Sequence, residues 1–378
     1  MKVCMICGSY PPAKCGIGDH AARLAEHLAL NGVAVDVLTR SETPVPPSPS
    51  ELVNVFPLLS SAPAMDAAKI ALHVAENRCD LIHLQFPTWA YRRSLGISLL
   101  PPLLRVITRV PLVATFHEVV RSHPVNRIRL KPIVYASSAV IATTEEDCRW
   151  LREHVLLRDG RVVHVPIGPC MEPTGEPPGD RAEYRRHLGL ADDDVAICYF
   201  GFILRNKMLE DLLAAVRNVA ESGSKVRLVL MTGFDRTEGL YGSRIRARVA
   251  EIGLADHVVQ TGYVSPAEAS RCFGACDFAT LLFRDGASFR RSSLLTAMAH
   301  GLPVLSYAQG EPPAGISNGA NILLSPMGNV RALTDNMLRM IREPGLRHRL
   351  SDGALETARR FSWPSIARQT IELYHTLR

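Results

Sequence analysis

The chain has 378 residues, 47% of them hydrophobic and 21% charged, with a formal net charge of +6. That length accommodates two domains, each able to bury its own core. No Lys/Arg block and no interleaving of aromatic with basic residues marks a nucleic-acid groove. The mild positive balance fits anionic small molecules or an anionic membrane surface instead.

Strand-like and helical runs alternate from the start. "KVCMICG" reads as a strand, "GDHAARLAEHLALNG" as a helix and "VAVDVLT" as a strand. Helix "AMDAAKIALHVAENR", strand "DLIHLQF", helix "GISLLPPLLRVITR" and strands "PLVATFH" and "AVIATT" follow. The proline- and glycine-rich segment 165–180, "VPIGPCMEPTGEPPGD", breaks this rhythm and reads as a linker. Beyond it come helix "DRAEYRRHLGL", strand "VAICYFG", helix "MLEDLLAAVRNVAES", strand "KVRLVLMTG" and helix "YGSRIRARVAEIG". Strand "HVVQTGYV", helix "SPAEASRCFGAC", strand "FATLLF", helix "RSSLLTAMAHG" and strand "PVLSY" continue the pattern. The last segment, "RRFSWPSIARQTIELYHTLR", is helical with a break at Pro364.

This βαβ rhythm predicts two doubly wound α/β domains, with ligands at the carboxyl ends of parallel strands, in an interdomain cleft. Met1 leads directly into a strand, and no apolar run reaches membrane-spanning length without Pro or Arg. The expectation is a cytoplasmic protein, peripheral to a membrane at most. Nine scattered cysteines suit a reducing compartment. Cys4 and Cys7 lie in a strand whose alternation sends them to opposite faces, so they read as small core hydrophobes rather than a redox or zinc pair.

Two stretches carry candidate phosphate chemistry. In "FGFILRNKMLEDLL", Arg205 and Lys207 stand between a strand ending at Gly201 and a helix, and two cations there suit a diphosphate. In "FRDGASFRRSSLLTAMAHGLPV", Asp285 and Gly286 make a turn, and Ser288, Ser292 and Ser293 are candidate caps of a helix running to His300. Arg290 and Arg291 sit at its amino end, where the dipole disfavours cations unless an anion neutralises them. His117 falls at a strand end, as do His83 and Gln85. Two further charged stretches read as structural. Asp192 to Asp194 reads as a turn of solvated carboxylates, and "RSHPVNRIRLKP", Arg121 to Pro132, as a solvated loop, with contact to anionic lipid or an anionic acceptor as its alternative.

Taken in order, "SYPPAKCGIGDHAARLAEHLALNGVAVDVLT", "LIHLQF", "ATFH", "VVHVPIGP", "FGFILRNKMLEDLLAAV", "TGYVSPAEASRCFGACDF", "LLTAMAHGLPV", "GISNGANILLSP" and "FSWPSIARQTIELY" resemble the GT-B retaining glycosyltransferases of family 4 (glycosyl transferases group 1). The resemblance covers essentially the whole chain. It implies residues 1–168 plus 364–378 as an acceptor-side Rossmann-like domain with a returning C-terminal helix, and 174–362 as the domain that binds the sugar nucleotide. By the same resemblance Gly16 and Gly18 form a loop approaching the donor phosphate, and His117 is the histidine near the transferred sugar. Arg205 and Lys207 grip the diphosphate, Gly262, Tyr263 and Val264 flank the nucleobase, and Gln85 and Asp19 lie on the acceptor side.

One departure is plain. The family's Glu-x7-Glu pair is replaced by Ser288 and Thr296, and the small residues after the first Glu by Phe289, Arg290 and Arg291. Together with Ser292 and Ser293 these make an altered donor site, similar to a divergent branch with a D-G-x-S-x-R-R pattern. The resemblance implies hexosyl transfer from a nucleotide-diphosphate sugar to a glycan, lipid-linked or small-molecule acceptor. It implies no metal and no cofactor, the sugar nucleotide being a co-substrate. A catalytically silent subunit that binds a sugar nucleotide is the main alternative. A nicotinamide oxidoreductase using Gly16, Gly18 and Asp36 is weaker: "YPPAK" widens the turn, and Asp36 lies inside its strand.

Overall fold

The computed structural model describes residues 1–13, 15–40, 50–60, 62–87, 95–155, 160–174, 181–232 and 239–377. Lys14, linker residues 175–180 and Gly233 lie outside them. The chain divides into two units, Met1–Cys170 with Ser362–Arg378, and Met171–Phe361.

In the first unit the order is β1 (Lys2–Ile6), α1 (Gly16–Leu30), β2 (Ala34–Arg40), β3 (Val53–Leu59), α2 (Pro63–Glu76) and β4 (Leu81–Phe86). Then come α3 (Leu100–Thr108), β5 (Leu112–Phe116), α4 (Pro124–Ala136), β6 (Ala139–Ala142), α5 (Glu145–His154) and β7 (Val162–His164). The seven strands pair in the order β3-β2-β1-β4-β5-β6-β7, every ladder parallel. The order reverses between β1 and β4, and the loops at the carboxyl ends of these strands border the switch point.

Both faces of the sheet are covered. Val3, Met5, Val35, Val37 and Val113 pack on one side with the apolar stripe of α1. Cys4, Ile6, Ile82, Leu84 and Ala114 pack on the other with Ile70 of α2, Leu104 of α3 and Ile133 of α4. Cys4 and Cys7 belong to these opposite clusters, as strand alternation requires. Asp36, fully buried within β2, is held by Lys2 Nζ at 2.8 Å and His73 Nε2 at 2.9 Å. It is a structural ion-paired carboxylate, set back from the strand end that a ribose-binding acid would occupy. Arg121 to Pro132 is not a loop: most of it forms α4, because Leu130, Ile133 and Val134 supply a buried stripe.

The second unit runs α6 (Arg181–His187), β8 (Val195–Phe200), α7 (Leu209–Glu221), β9 (Val226–Met231), α8 (Gly239–Glu251), β10 (Val258–Gln260) and α9 (Pro266–Ala275). It continues with β11 (Phe278–Thr280), α10 (Ser292–Ala299), β12 (Val304–Ala308), β13 (Leu323–Pro326), α11 (Val330–Arg342) and α12 (Pro344–Arg359). Its sheet order is β10-β9-β8-β11-β12-β13, again parallel, with the reversal between β8 and β11. Asp192 to Asp194 precede β8. Asp194 accepts from the Ala191 amide at 2.8 Å, and Asp193 pairs with Lys225.

After α12 the chain returns to the first unit as α13 (Trp363–His375), with Pro364 in its first turn, where a missing N–H costs nothing. Trp363 anchors it. The buried indole donates Nε1–H to the Pro169 carbonyl at 2.8 Å, and a Cβ on Gly168 would lie 2.6 Å from its ring. Removing the indole leaves a cavity, so Trp363→Ala should lower unfolding free energy by about 3–5 kcal/mol in a urea titration. Gly168→Ala should destabilise through the same ring; wild-type stability in both variants would refute the anchoring role.

Candidate functional site

At the β1–β4 switch point a chain of hydrogen bonds links three strand-end residues. His117 follows β5 directly, and its amide donates to the Phe86 carbonyl at 3.0 Å. Its ring nitrogen Nε2 lies 2.9 Å from Gln85 Oε1. An amide oxygen only accepts, so Nε2 carries the proton and Nδ1 keeps its lone pair. The Gln85 amide nitrogen donates to His83 Nε2 at 3.3 Å, joined there by the Thr115 hydroxyl at 2.7 Å. His83 is then protonated on Nδ1, which donates to Tyr374 Oη of α13 at 2.6 Å. His20, on the buried stripe of α1, sets its ring edge-on to His117 with centroids 4.7 Å apart, and packs on Trp363 at 5.1 Å.

Burial keeps these imidazoles neutral. It lowers His117 well below the ordinary histidine range, with His20 and His83 adding to the effect. Burial likewise brings His20 to about 4 and His83 to about 3. Asp19, in the first turn of α1, is pushed up to about 6 by burial, against the pull of Arg23. The glycines before it differ. A Cβ on Gly18 would lie 2.7 Å from the Ser9 carbonyl oxygen, whereas one on exposed Gly16 would meet nothing within 4 Å.

At the β8–β11 switch point, β8 is followed by Gly201, whose φ of +133° favours glycine. Lys207 follows it, donating from Nζ to Ser293 Oγ at 3.3 Å and resting over the Phe283 ring at 4.3 Å. Ser293 lies in the first turn of α10. The N-cap of that helix is Arg291, without a side-chain cap, so none of Ser288, Ser292 and Ser293 caps it. The extended residue before the helix is an arginine, and Ser293 already lies inside the helix, turned to Lys207. The amino end, where the positive end of the dipole lies, thus has no side-chain cap from its N-cap residue. Arg290 and Arg291 both reach the carboxylate of Asp285, Arg290 at 3.5 Å. The anion these arginines require is thus supplied within the loop. Ser288 Oγ, with its residue 4% exposed, has no hydrogen-bond partner among the described residues, and neither does Arg291 Nε.

Two family profiles divide the chain between them. Residues 15–168 match the one described as Glycosyltransferase Family 4, and 194–343 the one described as Glycosyl transferases group 1. The chain belongs to glycosyltransferase family 4. Among relatives of this transferase is a protein of Stackebrandtia nassauensis named D-inositol 3-phosphate glycosyltransferase. It is 25% identical over 392 aligned positions, spanning 95% of this chain and 86% of the relative. Sucrose-phosphate synthase from Thermosynechococcus elongatus shares the GT-B fold at a TM-score of 0.80 and 22% identity, covering 100% of this chain and 99% of that one. Anabaena HepE, solved in complex with UDP-glucose, superposes at a TM-score of 0.75 and 18% identity, covering all of both chains.

The predicted residues of this glycosyltransferase fall into distinct groups. Gln85 and His117 are bonded to each other, and Lys207 to Ser293. Arg205 is exposed and stacks its guanidinium on Tyr241 at 5.4 Å, away from the Lys207–Ser293 contact. Thr296 donates to the Ser292 carbonyl at 2.8 Å, and Phe289 packs on Phe361 with centroids 4.6 Å apart. Gly262, Tyr263 and Val264 follow the edge strand β10, two strands from β8, with Tyr263 73% exposed. Sequence reasoning missed His20, Tyr374 and the ion-pairing role of Asp285. His20 had a readable signal, a polar residue in the buried stripe Ala21, Leu24, Ala25 and Leu28 of α1.

Two tests follow from this geometry. Gly18→Ala should destabilise the first unit by a few kcal/mol, since a backbone carbonyl cannot swing aside, while Gly16→Ala should leave thermal stability within about 1 kcal/mol of wild type. Equal stabilities would refute the assignment. In the second test, the unfolded chain protonates His20 and His83 near pH 6.5, before the folded chain does. Their stabilising contribution is complete above that pH and falls as pH drops toward 4, by about 1.4 kcal/mol per unit for each histidine. Asp19, raised rather than lowered, offsets part of the loss. Urea midpoints should therefore fall between pH 7 and pH 5, with a shallower slope in His83→Asn. A flat profile would count against buried neutral histidines.

Proposed function

We propose that this family 4 enzyme transfers a hexosyl group, with retention of anomeric configuration and without a metal ion, from a nucleotide-diphosphate sugar to an acceptor hydroxyl. The observation that carries the reading is the amino end of α10. An uncapped helix start, the Lys207 ammonium 3.3 Å from its Ser293 hydroxyl, and the unpartnered buried hydroxyl of Ser288 converge on one loop. Fixed donors and a cation of this kind bind a diphosphate and stabilise the charge that builds on it as the glycosidic bond breaks. The second unit holds the donor, with Arg205 and the Gly262–Val264 loop toward its nucleotide. The first unit presents the acceptor, Gln85 and Asp19 standing on that side and Gly16 leaving room for a ligand's close approach. Neutral His117, with Nε2–H held by Gln85, offers Nδ1 as an acceptor for a sugar hydroxyl.

UDP-glucose is the first donor to test, since HepE is solved with it, and inositol phosphates are the first acceptors, given the names of the relatives. The donor site belongs to a divergent branch, with Ser288 and Thr296 where the family carries glutamates. That replacement also supports the second reading, a silent subunit that binds a sugar nucleotide without turning it over.

Nucleoside-diphosphate release, measured over a panel of donors and acceptors with and without chelator, distinguishes the two readings. Transfer unaffected by chelator is expected, with Lys207→Ala lowering kcat by roughly 10²–10³-fold and His117→Ala also strongly impaired. Binding of a nucleotide sugar with neither transfer nor hydrolysis would establish the silent reading. Full activity in both variants would overturn the site.

A further inference from the structure

The helices α3 and α4 pack against each other on one side of the first unit, and each carries an apolar stripe on its outer side as well as its inner one. On α3 the inner stripe is Leu100, Pro101 and Leu104, buried in the core. Leu99, Leu103, Val106 and Ile107, at helical spacing, are exposed, Val106 to 81%. On α4 the inner stripe is Leu130, Ile133 and Val134, while Val125, Ile128 and Tyr135 recur on an outer stripe, Ile128 exposed to 67%. A helix with a covered inner face has no folding reason to carry a second apolar stripe. Two such stripes on neighbouring helices mark a contact surface.

The charge around them selects the partner. Residues 95–144 hold six Lys or Arg and a single acid, Glu118, before Glu145, Glu146 and the buried Asp147 open α5. Arg105 donates to the Ala136 carbonyl at 3.1 Å, and Arg127 to the Val120 carbonyl while lying over the Trp150 ring. These partners are neutral, so the guanidinium charges are not cancelled by them. Arg121 reaches Glu146 at 3.7 Å on an exposed rim, a pair of little strength in water. Arg109 and Lys131 are exposed beside the stripes. Apolar side chains ringed by basic ones match the acyl boundary and anionic headgroups of a lipid bilayer. No helix among the described residues is long and apolar enough to cross a membrane. The surface therefore suits lying on a bilayer rather than spanning it.

We propose that the outer face of α3 and α4 docks this glycosyltransferase on an anionic lipid surface, Leu103, Val106, Ile107 and Ile128 entering the interface and Arg105, Arg109 and Lys131 meeting the headgroups. The proposal does not depend on which donor or acceptor the enzyme uses.

Sedimentation of the full chain with vesicles tests it. One set is phosphatidylcholine alone, the other equal parts phosphatidylcholine and phosphatidylglycerol. Binding is expected only to the second set and should weaken steeply with added salt. Each basic residue at such a surface contributes roughly fivefold to partitioning, so Arg109→Glu with Lys131→Glu should reduce it more than tenfold. Val106→Asp with Ile128→Asp should abolish binding while circular dichroism and thermal midpoint stay unchanged, because both side chains are exposed. Three results would overturn the proposal: no binding to either set, equal binding to both, or binding indifferent to both double variants. Concentration-dependent self-association in solution, lost in Val106→Asp with Ile128→Asp, would assign the face to a second copy of this chain and also overturn it.

Discussion

The hydrogen bond between Tyr374 Oη and His83 Nδ1 joins residues 291 positions apart and ties the last helix to the strand-end network. With Nδ1 protonated, His83 can only accept at Nε2. That orients the Gln85 amide with its nitrogen toward His83 and its oxygen toward His117. His117 must then hold its proton on Nε2. The Gln85 amide thus couples the tautomers of His117 and His83, and the Tyr374 hydroxyl of the last helix, able to accept or donate, takes the end of the chain. Trp363 holds that helix in place, and its indole also packs on His20, the ring that meets His117 edge-on. Anchoring of the C-terminal helix and preparation of the histidine are one structural problem, solved by one set of contacts.

The second unit applies a different device at the equivalent place in its sheet. Both sheets share the same order about their reversal point, so both place the loops after the first and fourth strands of the βα series side by side. In the first unit β4, the end of β5 and helix α1 carry neutral imidazoles and an amide beside that reversal point. In the second unit those loops carry cations and a helix start. Lys207 and Arg291 both lie over the Phe283 ring, at 4.3 and 5.1 Å, so one aromatic face helps to hold two like charges at the loop. Neutral groups suit hydroxyl recognition and cationic ones suit phosphate, and that is the division of labour proposed for donor and acceptor.

Much of this architecture was legible from hydrophobic periodicity. The alternation of strands and helices and the opposite faces of Cys4 and Cys7 follow from local pattern. What stayed hidden depends on long-range contacts or on weak pattern. β3, "VNVFPLL", carries a proline and exposed positions, and β7 has three residues, so neither shows strong alternation. α4 reads as polar loop because Arg127, Arg129 and Lys131 interrupt its apolar pattern and Pro132 breaks it, and its core stripe packs beside α3. Position alone marked His117 and Gln85 as candidates. The hydrogen bonds that relate them run on to Tyr374, far away in sequence. Serines before α10 look like caps by composition, yet the helix starts on Arg291 and uses none of them.

The two hydroxyl positions 288 and 296 take on different physical roles around that loop. A carboxylate at 288 would be nearly buried and would stand two and three residues before Arg290 and Arg291. Here Asp285 supplies the local negative charge from the preceding turn and engages both arginines, so the loop keeps a carboxylate while position 288 becomes a neutral hydroxyl. A buried serine without a partner is unfavourable in the free protein by the desolvation of its hydroxyl, and a ligand oxygen or hydroxyl that reaches it removes that cost. Thr296 has no such freedom, because its hydroxyl is engaged with the Ser292 carbonyl of its own helix. Of these two positions, 288 therefore presents a hydroxyl without a partner among the described residues, while the hydroxyl of 296 is engaged within its own helix.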